Sequence, residues 1–238
     1  MNRVPRIFTH TLPPALTQTQ IEGEIAHYLL KVLRVKTGQR LELFDGQGQM
    51  LPCEVISTDR RNLRLSTQGR VAINNQSPLS ITLNLALIKP ERFEWALQKA
   101  CELGVAEIQP IISARTDGRL ADKLDKKMPR WRSILQNAAE QSRRSHLPVL
   151  HEPVPLGECT LTGSGFFLDP TAQQGLRPAA GPVSLLIGPE GGWSEQEQQW
   201  AREQCWQGAT LGPRILRAET AAVTCIGLCQ YLCGDLAG

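Results

Sequence analysis

Short apolar runs separated by turn sequences occupy the first third of the chain. Three such runs lie at residues 40–44, 54–56 and 63–65. Stretches rich in glycine, aspartate and asparagine accompany them, at residues 36–38, 45–48 and 59–62. Several short strands at this spacing predict a small β-barrel.

One helical segment interrupts this β pattern. Apolar side chains recur at helical spacing between residues 25 and 35, at Ile25, Tyr28, Leu29, Val32 and Leu33. The polar positions on the other side of this segment are His27, Lys31 and Arg34. The spacing predicts one amphipathic helix over residues 25–35.

The pattern changes after residues 74–78, whose sequence Asn-Asn-Gln-Ser-Pro is typical of a linker. Apolar runs typical of buried strands then follow at residues 81–88, 108–112, 166–168, 183–187 and 209–211. Helices are predicted over residues 91–103 and 126–144, and a long helix is predicted at the end of the chain. A further helix is predicted from Ser194 onward, where Glu197 completes a capping box. This alternation predicts an α/β domain with a mainly parallel sheet. The predicted domains are therefore residues 1–74 and 75–238.

The composition is that of a soluble globular protein. Apolar residues make up 41% and charged residues 21%. No apolar run approaches the length of a transmembrane helix, and no secretory-type apolar segment lies near the start. The seven cysteines include no Cys-x-x-Cys pair, so we expect reduced thiols and a cytoplasmic protein. Cys225, Cys229 and Cys233 share one face of the last helix, which predicts a buried apolar stripe.

Basic residues are concentrated in two parts of the chain. The net charge is only +3, but residues 1–74 carry ten Lys/Arg against six Asp/Glu, and residues 113–146 carry nine against four. Concentrated basic surface suits a polyanion such as RNA, although solvated faces have the same composition. The residues predicted to contact RNA phosphates are Arg3, Arg6, Lys31, Arg34, Lys89, Arg115, Arg143 and Arg144.

The common catalytic and metal-binding templates are absent from the sequence. The Gly-x-Gly pairs at residues 46–48 and 163–165 lack the third glycine of a dinucleotide-binding loop, and there is no P-loop. No G-x-S-x-G nucleophile elbow is present. The four histidines do not form an H-E-x-x-H arrangement, so we predict no metal site.

Two glycine-proline segments follow predicted strands. Residues 187–193 read Ile-Gly-Pro-Glu-Gly-Gly-Trp, and residues 211–221 read Leu-Gly-Pro-Arg-Ile-Leu-Arg-Ala-Glu-Thr-Ala. Glycine lets a ligand approach the backbone closely because no Cβ intervenes. Both segments are predicted at the carboxyl ends of parallel strands, where open α/β sheets bind ligands. Each alone is also compatible with an ordinary strand-to-helix turn.

These two segments resemble the paired C-terminal motifs of the SPOUT superfamily of S-adenosylmethionine-dependent RNA methyltransferases. Residues 89–104 and 138–144 resemble the ribosomal RNA small-subunit methyltransferase E group within it, although Arg143 stands where relatives often have glycine. Residues 27–34 and 44–48 are similar to the N-terminal PUA-like barrel of that group.

The resemblance implies a trefoil knot in the C-terminal α/β domain, a homodimer, and methylation of N3 of one uridine in 16S ribosomal RNA of the small subunit. It also implies S-adenosylmethionine as the cofactor, held by the loops around residues 167–169, 187–192 and 211–220. The residues it assigns to the cofactor are Leu168, Ile187, Gly188, Pro189, Glu190, Gly191, Gly192, Leu211, Gly212, Ile215, Leu216, Arg217 and Thr220.

The implied reaction requires the proton on uracil N3 to leave as the methyl group arrives. A nearby cation stabilises the resulting anion, and a carboxylate or water takes the proton. We predict that Arg217 orients the base or stabilises its anion. Glu219 is predicted to position Arg217 or to fix the start of the last helix, and Glu190 is as readily assigned to holding the glycine turn.

Three other functions stay open from the sequence. The first is a SPOUT enzyme that methylates a ribose 2′-hydroxyl or transfer RNA. The second is a non-catalytic RNA-binding protein that has lost the cofactor site. The third, a nucleotide-dependent enzyme, is disfavoured by the missing P-loop lysine and the missing glycine triplet.

Overall fold

The computed structural model describes residues 4–116 and 124–237, which form two compact units. The first unit runs to Gln76 and also includes Ala139–Leu147. The second unit begins at Ser77 and contains the rest of the described chain. This division lies two residues from the boundary predicted at residue 74, but the local pattern does not assign residues 139–147 to the first unit.

The first unit is built on a six-stranded sheet. Its strands are β1 (Arg6–Phe8), β2 (Gln18–Ile21), β3 (Arg40–Phe44), β4 (Gln49–Thr58), β5 (Leu63–Thr67) and β6 (Val71–Ala72). Their order is β1-β3-β4-β5-β2, with β6 on β4, and only the β1–β3 pair is parallel. The three predicted strands are confirmed as β3, β4 and β5. The very short β1, β2 and β6 lie outside the apolar runs that predict strands.

The helical segment of the first unit differs from the single predicted helix. Helix α1 covers only Gly23–His27, and a π-helical turn follows over Tyr28–Val32. The Leu33 amide donates to the Tyr28 carbonyl, five residues earlier, at 3.0 Å, which is the wider π-type turn. Arg34 then takes a left-handed conformation with φ 52° and ends the helical segment. The prediction of one α-helix over residues 25–35 is therefore wrong in type and length.

The second unit contains a seven-stranded sheet in which every pair is parallel, as the alternating pattern predicts. Its strands are β7 (Ile81–Ala86), β8 (Glu107–Ile112), β9 (Val149–Leu150), β10 (Val154–Pro155), β11 (Ser164–Leu168), β12 (Val183–Ile187) and β13 (Gln207–Ala209). The order is β10-β8-β7-β12-β11-β13, with β9 on β8. The predicted strand over residues 209–211 instead ends at Ala209, so Leu211 lies in a loop.

The helices of the second unit follow the predicted positions to within about two residues, although the end of one passes into the first unit. They are α2 (Pro90–Glu102), α3 (Leu124–Ser142), α4 (Glu195–Glu203) and α5 (Ala218–Cys233). On α5, Cys225 and Cys229 are fully buried and Cys233 is half-buried, so the buried stripe is confirmed. Burial raises the pKa of the Cys229 thiol to about 12, which keeps it protonated. Within residues 4–116 and 124–237, no helix has the length and apolar character needed to cross a bilayer. The trefoil knot stays a prediction.

Candidate active site

Three neighbouring strands of the parallel sheet end around one cavity of the second unit. Strands β12, β11 and β13 end at Ile187, Leu168 and Ala209, and the loop after each strand lines a cavity of about 460 Å³. The start of α5 completes its wall with Ala218 and Ala221. Parallel strands place their carboxyl ends at one edge of a sheet, and that edge is where open α/β folds bind ligands.

The loop after β12 is shaped by close packing against a tryptophan. A Cβ atom on Gly188 would lie 2.9 Å from Cε2 of the buried Trp193 indole, so only glycine fits there without displacement. Gly192 has a φ of +69°, a left-handed conformation that glycine adopts without strain. Ser194 then caps α4: its Oγ accepts from the Glu197 amide at 3.2 Å, and Glu197 Oε2 accepts from the Ser194 amide at 2.7 Å. The predicted capping box is confirmed.

The loop after β11 is stabilised by a buried carboxylate. Asp169 is 5% exposed, and its Oδ1 accepts hydrogen bonds from the Thr171 amide at 2.8 Å and the Thr171 hydroxyl at 2.7 Å. Its Oδ2 lies 3.5 Å from Arg202 Nη2 of α4. Asp169 therefore connects the loop after β11 to α4, and it also lines the cavity.

The loop after β13 brings three exposed side chains to the cavity, those of Arg214, Ile215 and Arg217. Ile215 is 87% exposed, and Arg217 is exposed at the N-cap position of α5 with extended backbone. Gly212, at φ +96°, turns the chain between the strand and these residues. Arg217 forms no ion pair with any residue in the described ranges. Its guanidinium is therefore available to a ligand.

Most residues predicted to bind the cofactor lie together around this cavity. Ten of them line it: Leu168, Ile187, Gly188, Pro189, Glu190, Gly192, Leu211, Ile215, Leu216 and Arg217. Gly191 lines a neighbouring cavity instead, and Gly212 and Thr220 line neither. The two glycine-proline segments are thus brought together in space, as predicted.

Sequence reasoning missed Arg92, the cation that joins two carboxylates beside this cavity. Its Nη1 donates to Glu190 Oε1 at 3.2 Å, and its Nε lies 3.7 Å from Glu219 Oε1. Glu219 therefore pairs with Arg92 rather than with Arg217. The sequence offers one signal for Arg92 as a site residue. It lies within residues 89–104, which carry part of the family resemblance, and in the first turn of the helix that follows β7.

A second cavity of about 380 Å³ lies beside the first and shares Arg92 and Glu190 with it. Its remaining lining is partly apolar and partly basic, and comprises Leu87, Ile88, Lys89, Pro90, Arg115 and Gly191. Lys89 and Arg115 are exposed, and an Arg115 Nη1 group donates to the Gly191 carbonyl. Two cations therefore lie at the rim of this cavity.

The basic residues predicted to contact RNA divide into exposed and buried groups. Lys31, Arg34, Lys89 and Arg115 are exposed, each within its own unit. Arg143 is half-buried and paired with Glu42 at 2.6 Å. Arg3 lies outside the described residues.

Arg6 and Arg144 are buried, at 8% and 7% exposure, so we leave both out of the RNA-contact set. Arg6 donates from Nη1 to the Arg143 carbonyl at 2.7 Å and lies over the Phe44 ring. Burial lowers the pKa of Arg6. The charge count alone does not separate such structural arginines from exposed ones.

Metal ligands are not grouped in the described ranges: no set of three or more His, Cys, Asp or Glu side chains there is placed to hold an ion.

Comparison with known proteins connects both units to RNA modification. The profile of the RNA methyltransferase domain matches residues 75–230, and that of the RNA methyltransferase PUA domain matches residues 21–68. A ribosomal RNA small subunit methyltransferase E from Buchnera aphidicola subsp. Schizaphis graminum is 30% identical, over 98% of this chain and 98% of its own.

Two solved structures are similar along nearly the whole chain. The ribosomal RNA small subunit methyltransferase E from Neisseria gonorrhoeae, bound to S-adenosyl methionine, is 32% identical with a TM-score of 0.87. A methyltransferase from Legionella pneumophila in complex with the same cofactor is 32% identical with a TM-score of 0.88. In both cases the match covers 98% of this chain and 100% of the other.

Proposed function

The chain belongs to the ribosomal RNA small subunit methyltransferase E family, and on that premise we propose that it transfers a methyl group from S-adenosylmethionine to N3 of one uridine in 16S ribosomal RNA. The observation that carries the proposal is the cavity at the carboxyl edge of the parallel sheet, where the loops after β11, β12 and β13 converge. The reaction takes place in the cytoplasm, on RNA of the small ribosomal subunit.

The residues around the first cavity fit S-adenosylmethionine. Leu168, Ile187 and Leu216 offer apolar surface for an adenine ring, and the backbone at Gly188 carries no Cβ on the side of the Trp193 ring. Such sites combine apolar walls with a few placed polar groups. When bound, the cofactor supplies a methyl group activated by a positively charged sulfur.

The chain's own residues then prepare the acceptor. Transfer breaks the N3–H bond of uracil and releases the proton to water, while the N3 electron pair forms the new bond to the methyl carbon. A bound cofactor would supply the methyl carbon and would keep the electron pair of the broken sulfur–methyl bond. Arg217, exposed and lining the first cavity, orients the base or stabilises its anion.

The exposed cations of the first unit support phosphate binding by the PUA-like domain. We predict that the double variant Lys31→Gln/Arg34→Gln has a salt dependence of RNA binding that is flatter by roughly one to two units of log–log slope, since each lost phosphate contact removes about 0.7–0.9. The measurement is the affinity for small-subunit particles at several salt concentrations. The control, Arg60→Gln/Arg61→Gln, removes the same charge at the exposed β4–β5 turn. Equal slope changes in both variants would contradict this docking role.

The last helix supports a homodimer. On and just beyond α5, Leu228, Tyr231, Leu232 and Leu236 are 38–60% exposed, an apolar surface that monomeric proteins normally cover. We expect light scattering to give twice the mass of one chain, and the double variant Tyr231→Asp/Leu232→Asp to give the mass of one. A wild-type protein with the mass of a single chain would refute the dimer.

Nucleoside mass spectrometry tests the proposed reaction. Small-subunit particles from a strain lacking this protein are incubated with the purified protein and S-adenosylmethionine. The proposal requires 3-methyluridine in the 16S RNA. A ribose-methylated nucleoside, or methylation of added transfer RNA alone, would instead support the alternative targets, and no methylation together with retained RNA binding would support a non-catalytic protein.

A further inference from the structure

Arg92 occupies the boundary between the two cavities of the second unit. It lies in the first turn of α2, and three residues separate the start of this helix from the end of β7. Both cavities are lined by this arginine and by Glu190, so the two residues form part of the wall that separates them. A group placed there faces the methyl donor on one side and any occupant of the second cavity on the other.

Two carboxylates from separate parts of the second unit flank the Arg92 guanidinium. Glu190, in the loop after β12, accepts from Arg92 Nη1 at 3.2 Å, and its Oε1 also lies 3.4 Å from the Lys89 amide. Glu219, in the first turn of α5, lies 3.7 Å from Arg92 Nε, and its side chain is only 12% exposed. The guanidinium therefore makes one hydrogen bond, to Glu190, and one longer ion pair, to Glu219.

Part of the guanidinium is left for a ligand. Arg92 is 26% exposed at its side chain, and its Nη2 donates to no residue within the described ranges. Glu219 Oε2 is buried without a hydrogen-bond partner. A cation in the wall between two cavities is placed where it can stabilise a charge that develops in either of them.

The lining of the second cavity suits a nucleobase inside the cavity and the phosphates of the RNA backbone at its rim. Leu87, Ile88 and Pro90 give it apolar surface for a flat ring, and Lys89 and Arg115 place cations at the rim. RNA recognition of a single base combines such apolar contact with polar contacts to the base edge.

We propose that the second cavity receives the uracil base and that Arg92 is a catalytic residue, which donates a hydrogen bond to a carbonyl oxygen beside N3. This inference rests on the proposed function. As N3 loses its proton to water and forms the bond to the methyl carbon, negative charge spreads onto the neighbouring carbonyl oxygens, and Arg92 stabilises it. Glu190 and Glu219 are positioning residues that hold the guanidinium.

The test uses the variants Arg92→Gln and Arg92→Lys. The control is Arg130→Gln, which removes an exposed arginine of α3 that pairs with Glu94 of α2, the helix that carries Arg92. Turnover is measured on small-subunit particles that carry uridine or 5-fluorouridine, and affinity for S-adenosylhomocysteine is measured by calorimetry. Because fluorine makes N3–H more acidic, the anion of 5-fluorouracil requires less electrostatic stabilisation by the protein.

We expect Arg92→Gln to lower kcat on uridine by about 100-fold or more, as loss of an oxyanion donor does. Its affinity for S-adenosylhomocysteine should stay within about threefold of wild type, a change well under 1 kcal/mol. The loss on 5-fluorouridine should be clearly smaller than on uridine, which a merely structural defect would not produce. Arg92→Lys should recover part of the kcat lost in Arg92→Gln, because lysine keeps the positive charge but lacks the planar donor geometry of the guanidinium.

Equal losses on both substrates, or a raised KM with unchanged kcat, would overturn the proposal and leave Arg92 a structural or phosphate-binding residue. If Arg92→Gln fails to bind S-adenosylhomocysteine, the rates of Arg92→Lys on uridine and on 5-fluorouridine are compared in the same way, and equal losses would again overturn the proposal. Absence of 3-methyluridine with the wild-type protein would instead refute the proposed function, so the two failures are distinguishable.

Discussion

Replacing Gly188 by valine is expected to weaken the binding of S-adenosylmethionine. The first added carbon would already lie 2.9 Å from the Trp193 indole, in a wall of the first cavity. Either the indole or the loop must move, and such overpacking costs about 1–3 kcal/mol. If the cofactor requires the wild-type loop geometry, this cost appears in binding, and we expect the affinity to fall by roughly 5- to 150-fold, since each 1.4 kcal/mol is a factor of ten. Calorimetric titration with S-adenosylhomocysteine measures it.

The matched control is Gly157→Val, in an exposed turn where an added Cβ would meet nothing within 4 Å. This variant should bind as wild type does. Thermal unfolding of both variants separates loss of the site from loss of the fold. Unchanged affinity in folded Gly188→Val would mean that the loop after β12 does not hold the cofactor.

Replacing Arg217 by alanine is expected to remove methyl transfer while sparing the cofactor. The side chain is exposed at the start of α5, lines the first cavity and has no ion-pair partner in the described ranges. Loss of a charge-stabilising donor lowers kcat by about 100- to 1,000-fold. Single-turnover methylation of small-subunit particles gives the rate, and calorimetry gives the affinity for S-adenosylhomocysteine.

Arg132→Ala serves as the control, because Arg132 is an exposed arginine paired with Glu152 on the surface. Its rate should match that of wild type. If Arg217→Ala turned over normally, Arg217 would be removed from the mechanism, and the cations left to stabilise the anion would be Arg92 and Arg214, which also line the first cavity.

The sequence predicts the parts of the fold that depend on local pattern. The parallel strand Val183–Ile187 and the Ser194 capping box follow from a continuous apolar run and a three-residue spacing. The convergence of the two glycine-proline segments follows from one general rule, that parallel strands end at the same edge of a sheet. Local chemistry and topology together are therefore enough to predict that the two segments converge on one cavity.

Contacts between distant segments are what the sequence does not predict. Arg92 meets Glu219 across more than a hundred residues, and no local spacing encodes that pair. Arg6 is similar: it looks like a surface cation in the sequence, but folding buries it against Phe44 and residues 139–147. Partner choice and burial of charged side chains depend on the tertiary fold.

Arg143 illustrates how the structure explains a difference seen in the sequence. The family resemblance predicts glycine at this position in relatives, and the φ of 59° at Arg143 is in the left-handed region that glycine enters without strain. In this chain the strained backbone is accompanied by the Arg143–Glu42 ion pair at 2.6 Å. The Arg143 side chain therefore contributes a contact within the first unit.

A crystal structure of the protein soaked with S-adenosylhomocysteine tests the central claim most directly. We predict that the ligand lies in the cavity bounded by Leu168, Ile187 and Leu216, with its sulfur directed toward the wall formed by Arg92 and Glu190. A ligand bound elsewhere on the protein, or this cavity left empty at saturating concentration, would contradict the account.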